Sequence, residues 1–564
     1  MKATMHSSLR AFRWRFFSVV YALLLTAGVP WAAEGPPQAA IASAHSLATA
    51  AGFEILTAGG NAFDSAVAVS AALAVVEPYS SGLGGGGFWL LHRAEDGREL
   101  MLDGRERAPL AAHRDMYLDA AGRFVPALSL NGPLAAGIPG EPAALVYLAE
   151  HYGRLPLAQS LAPAIRLARA GFAVDEQYRH FAQRQLAVLL QSPAAAEQFL
   201  QDGEVPPLGT LIVQPDLADT LERLASMGRE GFYAGRTARL LIAGVRAAGG
   251  IWTPEDLASY RAVERAPIVG HYRGWRVVSA APPSSGGVLL VQMLNMLSRF
   301  DLAGLADTDR AHLLVEVMRR AYRDRALYLG DPDVFEVPVE RLTHPFYAAG
   351  LAWDIDLDRA TPSQPAAARA QGTDTTHFSV LDREGNRVAA TLSINYPFGS
   401  GFVPPGTGVL LNDEMDDFSA RPGVPNVYGL VGGEANAIAP GKRMLSSMTP
   451  TFAESEQGLA ILGTPGGSRI ITMVLQGLLS LDAGDPPAAW VAKPRFHHQY
   501  LPDQIQYEPG AFSTPERHCL EAKGHRLHEI RDGYGNMQVV YWDWSRSQVR
   551  AASDPRGIGR AEVR

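Results

Sequence analysis

The sequence predicts an α+β fold, and three observations carry that reading. Residues 40–76 and 140–260 run in helical periods rich in alanine, leucine and valine. Near residue 375 the texture changes to short strands separated by a tight loop. Hydrophobic residues make up 47% and charged ones 19% of the 564 residues, enough apolar material for a large core. A length of this order suggests three or four ordinary domains, yet no clean linker divides the helical stretches.

The first segment reads as a separate object. Lys2, Arg10, Arg13 and Arg15 stand without an acid beside them, an apolar run from Phe16 to Leu25 follows, and mostly small residues lead to Ala33. Positive, then apolar, then small is the order of a secretory signal, so residues 1–33 are expected to be removed on export. The competing reading is an uncleaved anchor, but the apolar run is shorter than the ~20 residues a span needs. Losing those four cations would take the net charge from −8 to −12. That balance argues against a nucleic-acid-binding surface. Cys519 is the single cysteine, so no intramolecular disulfide can form. Export without a second anchor points to a periplasm or the external medium.

Along the chain, two helices are expected within 40–76, broken at Gly59-Gly60, where glycine ends a helix well. The run Gly82-Leu83-Gly84-Gly85-Gly86-Gly87 precedes an apolar strand, Phe88 to Leu91. Its G-x-G-x-x-G match fails as a dinucleotide site, which needs the strand before the glycines and a helix after. A tight backbone approach near a site is expected instead. Pro139-Gly140 opens the next helical stretch. A strand is expected at Trp275–Val278, and Ser284-Ser285-Gly286-Gly287 reads as a turn feeding a helix. A long helix should cover about 309–329. Residues 359–374 hold no large apolar side chain, as in an inter-domain linker or a flexible tail freed by a cut.

Thr375 to Leu381 and Val388 to Ser393 form a hairpin signal around Asp382–Asn386. With residues 383–385 as the loop, Thr375 falls opposite Ser393, and Asn395 shares the face of Ser393. A slip of one residue would reverse that relation. A threonine so placed has a specific chemical use. Its hydroxyl can attack the Asp374 carbonyl, and water then releases Thr375 as a new N-terminus. The nucleophile would carry its own base, an α-amine of ordinary pKa ~8. On spacing alone, an ordinary strand threonine remains the competing reading.

Longer motifs narrow the choice. Thr375-Thr376-His377-Phe378-Ser379-Val380 resembles the start of the small subunit of γ-glutamyltransferases. Leu410 to Phe418 (LLNDEMDDF), Pro440 to Met448 (PGKRMLSSM), Gly463 to Arg469 (GTPGGSR) and Pro494 to Gln499 (PRFHHQ) are similar to further signatures of that family. So is Asp103 to Pro109 (DGRERAP), with Arg114-Asp115-Met116-Tyr117 following. The resemblance runs from about residue 40 to the end. It implies an N-terminal-nucleophile hydrolase sandwich of four layers, αββα. It also implies cleavage before Thr375 into a large subunit, 34–374, and a small subunit, 375–564, that stay together as a heterodimer.

The resemblance further implies that Thr375 attacks the γ-carbonyl of glutathione or another γ-glutamyl compound. Arg105, Ser446 and Ser447 would meet the donor's α-carboxylate, and Asn395, Glu414 and Asp417 its α-ammonium. Ser393 would hydrogen-bond Thr375, and the backbone amides of Gly466 and Gly467 would hold the oxyanion. Water would resolve the threonyl ester by hydrolysis, and amino acids or dipeptides by transpeptidation. Pro422 to Asn436, containing Tyr428, resembles the lid loop of glutathione-using members. No cofactor or metal is implied. His497-His498 are adjacent, so their side chains should diverge, and no H-E-x-x-H or G-x-S-x-G is present. Two alternatives stand beside this reading: an acylase acting on glutaryl-β-lactam side chains, and a non-catalytic binding homologue.

Overall fold

The computed structural model describes residues 35–363, 375–421, 423–426 and 428–564. The expected secretory signal, the Asp374 carbonyl and residues 364–374 of the expected tail lie outside them. Among the described residues, no helix is long and apolar enough to cross a membrane.

In chain order the main elements begin with β1 (Ala40–Ser43), α1 (Ser46–Thr57), α2 (Ala62–Val76), β2 (Gly86–Arg93) and β3 (Arg98–Gly104). Next come α3 (Glu141–His151), β4 (Val263–Arg265), β5 (Ile268–Tyr272), β6 (Trp275–Ser279), α4 (Gly286–Leu297) and α5 (Asp307–Tyr328). The remainder are β7 (Thr376–Leu381), β8 (Arg387–Ser393), β9 (Thr451–Ser455), β10 (Gly458–Gly463), α6 (Ile470–Asp482), β11 (Gln538–Asp543), β12 (Gln548–Ser553) and β13 (Arg560–Val563). Among the described residues these strands form a seven-stranded sheet, β13-β1-β7-β8-β2-β3-β4, and a six-stranded one, β12-β11-β10-β9-β6-β5.

Side-chain alternation explains how the layers stack. On β2, Trp89 and Leu91 join the core under α1, α2 and α3, whereas Phe88 and Leu90 join the core shared with the second sheet. The far side of the second sheet is covered by α4 and α6, with α5 packed against α4. The result is four layers, αββα. One expectation fails: residues 40–43 are not the start of a helix. Alanine-rich sequence sets no strong local preference there, and pairing with β13 on one edge and β7 on the other makes the segment a strand.

The hairpin has the register read from the sequence: Leu381 opposes Arg387 and Thr376 opposes Leu392. It lies between strands of the first part of the chain. β7 pairs with β1 and β8 with β2, so a break before Thr375 leaves the hairpin bonded on both edges. Residues 360–363 are also tied down: Thr361 N donates to Glu316 Oε1 at 3.1 Å and Ser363 N to Asp503 Oδ2 at 2.8 Å.

Candidate active site

Thr375 immediately precedes β7 and is buried, one rung beyond the Thr376–Leu392 pair and therefore opposite Ser393. The glycine run shapes this end of the sheet. A side chain at Gly85 would put its first carbon 2.2 Å from the Ser393 carbonyl oxygen, and one at Gly84 1.9 Å from that of Leu410. Only glycine allows such an approach. The run therefore packs the hairpin end and the 410–418 loop together.

Arg105 follows β3 and is 1% exposed. Its backbone is fixed by Arg105 N donating to Asp103 Oδ1 at 2.9 Å and by the Tyr260 hydroxyl donating to its carbonyl at 2.7 Å. Its guanidinium divides between two carboxylates, Nη1 to Glu414 Oε2 and Nη2 to Asp417 Oδ2, each at 2.5 Å. Asn412 sets the presenting loop, its Oδ1 accepting from Gly137 N and Glu414 N while its Nδ2 donates to Gly84 O. The neighbouring acids turn elsewhere: Asp413 Oδ1 accepts from Tyr396 N, and Asp416 Oδ1 accepts from the Ser129 hydroxyl.

Glu106 stands 3.5 Å from Arg105 Nη1, with both oxygens buried and without a hydrogen-bond partner. Burial, reinforced by the Glu414 charge, pushes its carboxyl well above the usual range. Burial also pushes Glu414 up, against the pull of the guanidinium. Against its own burial, Arg105 is held above its usual value by the charges of Glu414, Glu106 and Asp417. One cation thus faces three carboxyl groups, and burial raises two of them, Glu106 and Glu414, above the usual carboxylate range.

One small pocket is lined by Arg105, Thr375, Ser393, Asn395, Glu414, Asp417, Tyr428, Ser446, Ser447 and Gly467. Its free space is about 20 Å³, since these side chains nearly fill it. Gly466 is outside the lining. Thr375 also borders a larger cleft of about 680 Å³, beside Tyr79, Arg184, Arg469 and Asn536. Tyr428 closes the small pocket, its ring lying against Gly467 and its hydroxyl donating to Asn395 O at 2.7 Å. Gly466 and Gly467 have φ of +138° and +56°, a turn that delivers the chain from β10 into α6. Their N–H groups make no hydrogen bond among the described residues.

The serine pair is oriented by neighbours. Met448 N donates to Ser446 Oγ at 3.1 Å, which occupies one of its two lone pairs and leaves the Ser446 proton to give. Asn426, which sequence reasoning missed, links the lid loop to the pocket by donating from Nδ2 to Asp417 Oδ1 at 3.2 Å. Its place two residues before Tyr428 was the available signal.

The histidines are otherwise engaged. His497 bonds Thr472 and Gln499, whereas His498 bonds Asp503 and Tyr500 N, so the adjacent rings diverge. His312, Glu316 and His525 bring ligand atoms within 4.8 Å of one another. The two rings, however, hydrogen-bond each other at 2.7 Å, and Glu316 is paired with Arg319 and Arg320.

Two sheets face to face between helical layers, with the chain re-entering a sheet's interior just after Thr375, define an N-terminal-nucleophile hydrolase. The gamma-glutamyltranspeptidase family model matches residues 48–563, and the chain belongs to that family. It is therefore an enzyme of γ-glutamyl transfer and hydrolysis. The chain is 43% identical to a glutathione hydrolase proenzyme of Escherichia coli over 530 residues, covering 92% of this chain and 91% of the relative. A cephalosporin acylase of Bacillus halodurans has a similar solved structure, at 30% identity and a TM-score of 0.83, covering 94% and 96% of the two chains. The gamma-glutamyltranspeptidase of Helicobacter pylori is similar at 41% identity and a TM-score of 0.55, over 57% of this chain and 92% of that one.

Proposed function

We propose that the chain is a zymogen that cleaves itself before Thr375 and then hydrolyses glutathione and related γ-glutamyl compounds through a threonyl ester. The observation that carries this is the single pocket joining Thr375 to Arg105, Asn395, Glu414, Asp417, Ser446 and Ser447. A γ-glutamyl donor is a zwitterion at its α-carbon. Entering the pocket, it can exchange charge for charge with the resident ion pair: its carboxylate takes the guanidinium fork, and its ammonium takes Glu414 and Asp417. Asn395 spends its amide nitrogen on Asp413 O, leaving its amide oxygen to accept from that ammonium. Net charge in the buried site is unchanged by the exchange, which limits the desolvation cost.

With the α-carbon anchored there, the γ-carbonyl reaches Thr375. The new α-amine takes the hydroxyl proton, and the free N–H groups of Gly466 and Gly467 stabilise the oxyanion. The larger cleft beyond Thr375 accommodates the leaving amine and then water, an amino acid or a dipeptide. The two fragments remain one heterodimer because the hairpin is paired on both edges. Export, with removal of residues 1–33, would place the enzyme in a periplasm.

The test has two parts. Thr375→Ala should remain one chain on a denaturing gel. The active form should show fragments of roughly 37 and 20 kDa, dividing 60.6 kDa in proportion to length with residues 1–33 removed. Two fragments from the alanine variant would rule out self-cleavage by this residue. The active form should release aniline from a γ-glutamyl anilide and not from a glutaryl anilide, which lacks the ammonium. Preference for the glutaryl substrate would favour the acylase reading, and release from neither a binding protein.

A further inference from the structure

Arg325 lies on α5, 4% exposed, and among the described residues it has no carboxylate within ion-pairing distance. Its Nε donates to Ser285 Oγ at 3.0 Å and its Nη2 to Ser447 Oγ at 3.2 Å. The Ser285 hydroxyl in turn donates to Ser446 O at 2.7 Å. A guanidinium can only donate. Ser447 Oγ therefore accepts from Arg325, and its own proton is left to donate, as the Ser446 proton is. Burying a cation without a counter-charge is costly. An anion arriving on the far side of Ser447 would supply that charge.

We propose that Arg325 is a second cationic positioning residue of the pocket, holding Ser447 as a donor to the substrate's α-carboxylate. This rests on the carboxylate-site reading given above. Arg105 divides its fork between Glu414 and Asp417, so a carboxylate must compete for it. Arg325 adds positive potential on the same side without spending it on a protein acid. Burial pushes its guanidinium down to about 10, which leaves it charged at neutral pH. The turn Ser284–Gly287 acquires a role as well: it fixes the Arg325 Nε and the Ser446 backbone through one hydroxyl. Bracing of α5 against the 446–447 loop alone would leave the chemistry of the donor irrelevant, and that separates the two accounts.

The experiment compares R325M and R325K with the wild type on two donors, γ-glutamyl anilide and 4-aminobutyryl anilide. The second keeps the ammonium and lacks the α-carboxylate. R325M should raise KM for the γ-glutamyl donor about tenfold or more. It should change kcat by less than about threefold. Kinetics on 4-aminobutyryl anilide should be unchanged, and R325K should recover part of the loss. Equal losses on both donors, or an unchanged KM, would overturn the proposal. Should R325M yield no cleaved, soluble enzyme, S447A is measured in the Arg325 and R325K backgrounds. Non-additive effects on KM support the link, and additive effects overturn it. Equal losses on both donors for Arg105→Ala would refute the carboxylate site itself. A loss confined to the γ-glutamyl donor for that variant but not for R325M would refute only the role of Arg325.

Discussion

Arg105→Ala should raise KM for a γ-glutamyl donor by one to two orders of magnitude. Arg105 makes two 2.5 Å contacts, both to protein carboxylates that a substrate carboxylate must replace. The binding gain is thus the difference between two sets of charged hydrogen bonds. Taking that difference as about one such bond, ~1.5–3 kcal/mol, gives a rise of roughly 10- to 150-fold. Truncation also strands buried carboxyl groups, a loss of ~3–5 kcal/mol if they stay ionised. Glu414, whose carboxyl is already pushed up by burial, can escape by holding a proton. The folded state then binds a proton that the unfolded state has released. Stability of the variant should therefore fall as pH rises from the ordinary carboxylate range toward neutrality. Initial rates on a γ-glutamyl anilide, with urea titrations at several pH values, measure both effects. Arg105→Lys should lie between, since lysine keeps the charge and loses the fork. A KM within about threefold of wild type for Arg105→Ala would refute the assignment.

Gly467→Ala should lower kcat and loosen the lid. The residue has φ +56°, where a side chain costs ~1–2 kcal/mol. Its added carbon would also sit 2.5 Å from the Tyr428 ring, and an unchanged kcat would show that this turn is not at the reacting carbonyl. Acid stability offers another check. Burial pushes His377 down to about 3 and His45 to about 4, and lowers His498 to about 4. Their unfolded forms take protons near pH 6.5 and their folded forms do not, so stability is lost progressively as pH falls below 6.5. His377→Asn should flatten that slope in urea titrations between pH 7 and 5, and an equal slope would rule out His377 as a contributor.

Much of the site was legible because its information is local or periodic. The hairpin register follows from a short loop and a period of two, which put Ser393 opposite Thr375. The glycines at 84, 85, 466 and 467 announced close approaches because no other residue tolerates them. Motif resemblance named Glu414 and Asp417 rather than Asp413 and Asp416. The structure separates the same pairs, turning two toward Arg105 and two into the surrounding loops.

Other features depend on segments hundreds of residues apart, and no local pattern encodes them. Ala40 to Ser43 is a strand because β13 and β7 supply its hydrogen bonds, and its composition alone suited a helix. The resident ion pair joins Arg105 to acids more than 300 positions later. The upward push on the Glu106 carboxyl follows from burial, which depends on what packs around it. Arg325 is one of several basic residues on a long helix, and only packing removes it from water and sets it beside Ser447. Residue types and spacing thus determined the hairpin, the place of Thr375 at its start and the polar groups available. Tertiary burial decided which of those groups remain charged, which hydroxyls are left to donate, and what they face.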